Sequence, residues 1–455
     1  MAQHDIHAPF DGTLVGRAPV AGREEVISAI AAADRAAPAA RALPAYRRAE
    51  VLQRVAERLR AAREEFARLL AAEAGKPITA ARVELDRAAF VFQTGAEEAL
   101  RIGGEVLPLD RMPHGAGRWG LTRRFPLSVV GAIVPFNFPA LLAAHKLAPA
   151  VACGATIVLK TPPQDPLTPL RLGELFRESG YPDGGVAVVN CSVEDAAPLL
   201  DDPRIRVVTF TGSARAGWAI RRQVARKPVV LELGGNAGVI IEPDADLDRA
   251  VERSVIGGFG YAGQSCISVQ RILVHRAVYD GFVERLVPRV AALRVGDPLE
   301  ETTEVGPMID EAAARRAEAW IEEAVAAGAQ VATGGKRTRG LLQPTVLLDT
   351  TAAMKVNCEE VFAPVVTIRP YDRFEEAMAM VSDSPYGLQA GVFTNDLRKA
   401  WAAFETLEVG GVIVNDIPGF RVDHMPYGGV KESGLGREGV RYAIDELTEV
   451  KLLVI

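Results

Sequence analysis

From residue 127 to 234 the chain alternates short β-branched runs with helix-like stretches, and this rhythm restricts the fold more than any other feature. The runs are 129–134, 156–160, 186–189, 206–210 and 229–233. Each is apolar nearly throughout, the pattern of strands in a mostly parallel sheet with helices on both faces. A second alternating region spans 235–430, with strands expected near 271–276, 365–369 and 411–414. A single core does not organise 455 residues, so the expectation is an α/β protein of two or three domains.

The first hundred residues read as helices. Residues 46–74 place Val51, Leu52, Val55, Leu59, Phe66, Leu69 and Leu70 on one face, and Gly75 marks a stop. Pro77 opens a second helix that runs to about Arg101. Residues 103–126 change character, with Gly103, Gly104, Pro108, Pro113, Gly115 and Gly117 ahead of a polar stretch, and read as a hairpin. The last residues, 447–455, read as a strand pairing outside the main sheets.

A net charge of −6 offers no basic excess for nucleic acid, so no nucleic-acid partner is expected. His4, Asp5 and His7 stand where a signal peptide needs an apolar run. The most apolar stretch, 139–155, is interrupted by His145, Lys146 and Pro149 and is short for a bilayer, so no membrane partner is expected either. Four scattered cysteines (153, 191, 266 and 358) form no disulfide framework and no C-x-x-C pair. The six histidines are equally dispersed. The expectation is a cytoplasmic protein with reduced thiols and no metal site.

Three residues carry chemistry when taken together. Cys266 lies in Gly263-Gln264-Ser265-Cys266-Ile267-Ser268, and by itself reads as a packed core thiol. Glu232 ends an apolar run and is followed by Leu233, Gly234 and Gly235; a buried carboxylate there is costly unless used or paired. Asn137, in Pro135-Phe136-Asn137-Phe138-Pro139, by itself reads as a turn residue. A thiol, a carboxylate upstream of it and an amide just after a strand resemble the pattern of the aldehyde dehydrogenase superfamily. Further motifs follow in the same order: Lys160 at a strand end, Phe210-Thr211-Gly212-Ser213 leading to Gly217, Glu359-Glu360-Val361-Phe362-Ala363-Pro364, and Pro426-Tyr427-Gly428-Gly429-Val430-Lys431-Glu432-Ser433-Gly434.

The resemblance covers nearly the whole chain and implies an α/β architecture of three parts. These are a Rossmann-like cofactor domain (1–105 and 127–234), an α/β catalytic domain bearing Cys266 (235–430), and a small β bridging element (106–126 and 431–455). It implies Cys266 as nucleophile, Asn137 and the Cys266 N–H as oxyanion donors, and Glu232 as the base that activates water for deacylation. It implies NAD or NADP held by Pro135, Phe136, Lys160, Gly212, Ser213, Leu233, Gly234, Glu360 and Phe362. Pro163 stands where many relatives that prefer NAD carry a Glu repelling a 2′-phosphate, so the choice between NAD and NADP stays open. Ala363 replaces a common Gly.

Residues 415–439 resemble the subgroup acting on lactaldehyde, glyceraldehyde and phosphonoacetaldehyde. Relatives that bind phosphate or phosphonate often carry Arg just before the nucleophile; here it is Ser265, followed by Ile267, with Phe420 also expected in the substrate pocket. The reading is a small aliphatic aldehyde, neutral or weakly polar, although Arg421 and Arg101 are available as cations. A CoA-acylating enzyme is the alternative, opposed by Glu232; a non-catalytic structural protein reusing the fold is the other. The hairpin implies a homodimer or homotetramer.

Overall fold

The computed structural model describes residues 2–224 and 226–455. Its first sheet is built from β1 (Val129–Ile133), β2 (Thr156–Lys160), β3 (Val186–Val189), β4 (Ile205–Thr211) and β5 (Val229–Glu232). The chain starts at β1 in the middle, winds outward through β2 and β3, then returns to the other side of β1 for β4 and β5. All these pairings are parallel. The short strand Gly434–Leu435 closes the β5 edge antiparallel. All five residues of β2 are buried, which explains its unbroken apolar run.

Between β1 and β2 runs the helix Pro139–Cys153, with every residue buried. Proline stands at its start, where no helical N–H is needed, and Gly154, at φ 83°, ends it in the left-handed conformation. Hydrophobic on all sides, it is enclosed by the sheet and by the helices Ala45–Ala61 and Ile78–Ala99. His145 and Lys146, the breaks in its apolar pattern, are buried as well.

The second sheet has seven strands in the order Gln330–Thr333, Thr345–Leu348, Val365–Tyr371, Val269–His275, Ala237–Ile241, Gln389–Phe393, Gly411–Val414. Only the first of these runs antiparallel to its neighbour. A three-stranded sheet joins Val106–Pro108, Trp119–Pro126 and Thr448–Val454, the last pairing antiparallel with the hairpin from Thr448↔Pro126 to Val454↔Gly120. No described helix is long and apolar enough to cross a membrane.

Two local expectations give way. The chain opens with a β-hairpin, Ala2–His7 paired with Leu14–Val20, turned through Gly12 at φ 81°, rather than with a helix. The helix expected over 46–74 is two helices, Ala45–Ala61 and Arg63–Ala74. They break at Ala62 (φ −96°, ψ 11°), where neither proline nor glycine announces a bend.

Candidate active site

The switch in winding direction between β1 and β4 leaves a crevice at the carboxyl ends of the strands, where open α/β sheets bind ligands. Asn137 follows β1, Gly212 and Ser213 follow β4, and Glu232 is the last residue of β5. The second sheet faces this crevice with the segment that precedes Val269–His275 and carries Cys266.

That segment is strained. Tyr261, Ala262 and Gly263 are left-handed in succession, at φ 48°, 52° and 67°. Each non-glycine residue so held costs roughly 1–3 kcal/mol. At Gly263 a Cβ would lie 2.1 Å from the Ala363 carbonyl oxygen, so only glycine fits. The Tyr261 hydroxyl anchors the turn by donating to Ala74 O at 3.0 Å. Lys76, fully buried, ties this turn to the Asn137 loop: its ammonium pairs with Glu84, donates to Asn137 O at 2.7 Å, and sits 3.9 and 4.2 Å from the Phe138 and Tyr261 ring centroids. Glu84 in turn accepts the N–H groups of Ala140 and Leu141 at the helix start. The two loops are therefore held in register by one ion pair.

One cavity gathers most of the residues that the sequence singles out. Cys266, Glu232 and Asn137 line it, with Pro135, Phe136, Gly212 and Ser213 on the first-sheet side. Leu233, Gly234, Glu360, Phe362, Ser265 and Ile267 complete those contributions. Three do not reach its wall. Lys160 ends β2, buried, with its ammonium donating to Thr161 O at 2.9 Å. Pro163 is exposed. Phe420, expected in the substrate pocket, turns outward and is 41% exposed; its neighbours Gly419 and Arg421 line the cavity instead.

The Cys266 thiol lies 2.9 Å from the Tyr427 hydroxyl. Loss of water around the thiol pushes it up to about 12, while the Tyr427 bond and Arg421 pull the other way. Glu232 is buried with both carboxyl oxygens unpartnered, and burial followed by the nearby Glu438 raises it well above the usual carboxylate range. Glu438 goes the opposite way: burial opposes its ionised form, yet Lys146 at 2.7 Å and Arg421 at 3.1 Å hold it down to about 2. Burial thus favours the protonated forms of Cys266 and Glu232 beside a separate, fully paired carboxylate. The Asn137 amide nitrogen donates to Gln264 O at 3.1 Å, which leaves its second N–H for the cavity.

Sequence reasoning named Arg421 as an available cation but passed over the rest of a cationic wall. Arg87, from the helix Ile78–Ala99, lines the cavity and forms a two-bond pair with Asp423 at 2.7 and 2.9 Å. Arg421 lies across the Tyr427 ring, 3.7 Å from its centroid, and donates to Glu438. His145 contacts Asp423 at 3.1 Å and Arg421 at 3.2 Å; burial and Arg421 hold it below the ordinary imidazole range, so it is neutral. The one available signal for His145 and Lys146 was polar residues inside the most apolar stretch. Nothing local distinguished Arg87 from other helix-surface arginines.

Comparison with known proteins agrees with this geometry. The model of the aldehyde dehydrogenase family matches residues 2–453. A 3-sulfolactaldehyde dehydrogenase of Priestia megaterium is 45% identical over 437 residues, 96% of this chain and 91% of the relative. Aldehyde dehydrogenase 21 from Physcomitrella patens, solved with the reaction product succinate, is 44% identical with a TM-score of 0.98, covering 100% of this chain and 95% of that one. A glyceraldehyde-3-phosphate dehydrogenase from Methanocaldococcus jannaschii, solved with NADP, is 38% identical with a TM-score of 0.95, covering 99% of this chain and 98% of that one. The chain belongs to the aldehyde dehydrogenase family: it is an α/β oxidoreductase that converts aldehydes to acids with NAD or NADP as cofactor.

Proposed function

We propose that this enzyme oxidises small aldehydes bearing an anionic group, through a covalent thioester on Cys266. The observation that carries the substrate class is the charge of the cavity wall. Arg87 and Arg421 line the cavity and Lys146 is buried behind it; these three cations pair with Asp423 and Glu438. Burial disfavours the ionised form of Glu232 and Glu360 lies near Arg316, so this cluster is left with a positive surplus. Burying that surplus is costly unless an anion arrives with the substrate. A carboxylate, sulfonate or phosphate ester fits, in keeping with the sulfolactaldehyde, succinate and glyceraldehyde-3-phosphate in the names of the three relatives. Ser265 alone favours a neutral aldehyde; Arg87 and Arg421, on the lining of the same cavity, supply the charge instead.

The chemistry assigned to the chain runs as follows. The sulfur adds to the aldehyde carbon, and the carbonyl oxygen takes up negative charge beside the Asn137 amide and the Cys266 N–H. A bound nicotinamide supplies the hydride acceptor. Residues at the crevice suit that group: a Cβ on Gly234 would lie 2.4 Å from the Glu360 carboxyl, and one on Gly212 2.5 Å from the Phe210 ring, so bare backbone lines the approach. Gly212 and Ser213 open the helix Ala214–Gln223, whose N-terminal N–H groups favour a pyrophosphate. Glu360 accepts the Gly235 N–H, and Phe362 stands edge-on to Phe136 with ring centroids 5.9 Å apart; both line the cavity and would hold a nicotinamide riboside there. Lys160 would hold the adenosine ribose, and Pro163 would raise no barrier to a 2′-phosphate. Glu232, once ionised, removes a proton from the water that hydrolyses the thioester; its presence favours water over CoA as acyl acceptor.

Residues 1–105 and 127–234 form the NAD(P)-binding domain in this reading, 235–430 the catalytic domain, and 106–126 with 431–455 the bridging element. Gly434–Leu435 is given back to the first sheet.

Steady-state kinetics with succinic semialdehyde against butanal test the substrate class. The anion is expected to show a kcat/KM about 100-fold higher at low salt, falling in Arg87→Gln chiefly through KM. Equal values for the two aldehydes overturn the anionic reading and restore the neutral one.

A further inference from the structure

We propose that the Tyr427 hydroxyl is the hydrogen-bond donor that holds the Cys266 sulfur as a thiolate, making Tyr427 a further catalytic residue of this site. The inference rests on Cys266 as nucleophile and adds the group that stabilises it.

Among the described residues the phenol oxygen, 2.9 Å away, is the only side-chain hydrogen-bond partner of the sulfur. The phenol has no freedom to leave. Tyr427 is 3% exposed, and its backbone exchanges two hydrogen bonds with Glu438, N–H to O at 3.0 Å and O to N–H at 2.6 Å. The Arg421 guanidinium covers the ring face at 3.7 Å. The next residue, Gly428, packs against the other reacting group: a Cβ there would lie 2.8 Å from Glu232 Oε1. One fixed backbone segment therefore meets both the thiol and the carboxylic acid.

A resting S–H can donate or accept. Once its proton has left to cavity water, the sulfur carries only lone pairs, and the phenol must donate to it. The phenol keeps its proton throughout. A sulfur lone pair then forms the S–C bond while the carbonyl π pair moves to oxygen. The positive charge of Arg421 over the ring makes the phenol a stronger donor, and a bond to an ionised acceptor is about twice as strong as a neutral one. Burial drives the thiol towards its protonated form, and the bond from Tyr427 is the largest influence opposing that. Arg421 thereby serves two ends of one substrate: it attracts the anionic group and, through the tyrosine ring, favours the nucleophile.

The test is the pH dependence of iodoacetamide inactivation without aldehyde or cofactor, read beside thiolate absorbance near 240 nm, in the native enzyme and Tyr427→Phe. Phenylalanine keeps the ring on which Arg421 rests, and unchanged NADP affinity reports an intact fold. The expected result is a midpoint about one unit higher, with alkylation at pH 7.5 slowed about tenfold. An unmoved midpoint overturns the proposal. Should Tyr427→Phe fail to fold, 3-fluorotyrosine at position 427, a stronger donor, is expected to lower the midpoint, and no change overturns the proposal equally. Cys266→Ala separates the two readings. If that variant keeps alkylation-sensitive dehydrogenase activity, Cys266 is not the nucleophile, whatever Tyr427 does.

Discussion

Glu232 and Glu438 lie in one buried site and shift in opposite directions, because two cations reach Glu438 and no donor reaches Glu232. No hydrogen bond links Glu232 to the Cys266 sulfur, so we assign its work to deacylation. Glu232→Gln is expected to keep a full first-turnover burst of reduced nicotinamide while steady-state turnover falls about 100-fold. Loss of the burst in rapid-mixing measurements would place Glu232 before acylation instead. Cys266, Glu232 and Asn137 stood out in the sequence only together, as a pattern resembling the family's. Arg87 did not, since its significance comes from Asp423, 336 residues away.

At the scale of elements, the turn before Cys266 shows how local strain is maintained. Tyr261, Ala262 and Gly263 stay left-handed because the Tyr261 hydroxyl, Lys76 and the Ala363 carbonyl surround them. Gly263→Ala meets a carbonyl at 2.1 Å and an unfavourable φ of 67° together. Its expected cost is about 3 kcal/mol or more in urea unfolding, with loss of activity at temperatures where the fold survives. A cost below about 1 kcal/mol would mean that the turn relaxes freely. The strands β1 to β5 were readable within a residue or two, since burial on both faces demands apolar runs. The N-terminal hairpin and the break at Ala62 were not: the hairpin has Pro9 and Gly12 in its turn but no strong strand alternation beside them, Ala62 has neither proline nor glycine next to it, and tertiary packing overrode weak local preference.

At the scale of the molecule, the C-terminal strand Thr448–Val454 pairs on one side only, and Val450, Leu452, Leu453 and Val454 are 44–58% exposed. Such an edge on a free monomer invites pairing, and we propose that it docks on a second copy in a homodimer or homotetramer. Light scattering is expected to report an oligomer for the native chain and a monomer after removal of 449–455; a native monomer overturns this. The sequence by itself determined the α/β class and the parallel character of the first sheet, and through its resemblance to the family it pointed to thiol, carboxylate and amide as the reacting set. Those follow from local patterns: periodicity, glycine placement and short motifs. Only the tertiary structure brought together the arginines of the cavity wall, the opposite shifts of Glu232 and Glu438, and the partner of Cys266. These depend on residues far apart in the chain meeting where water is excluded, and neither the meeting nor the exclusion is written in any one segment.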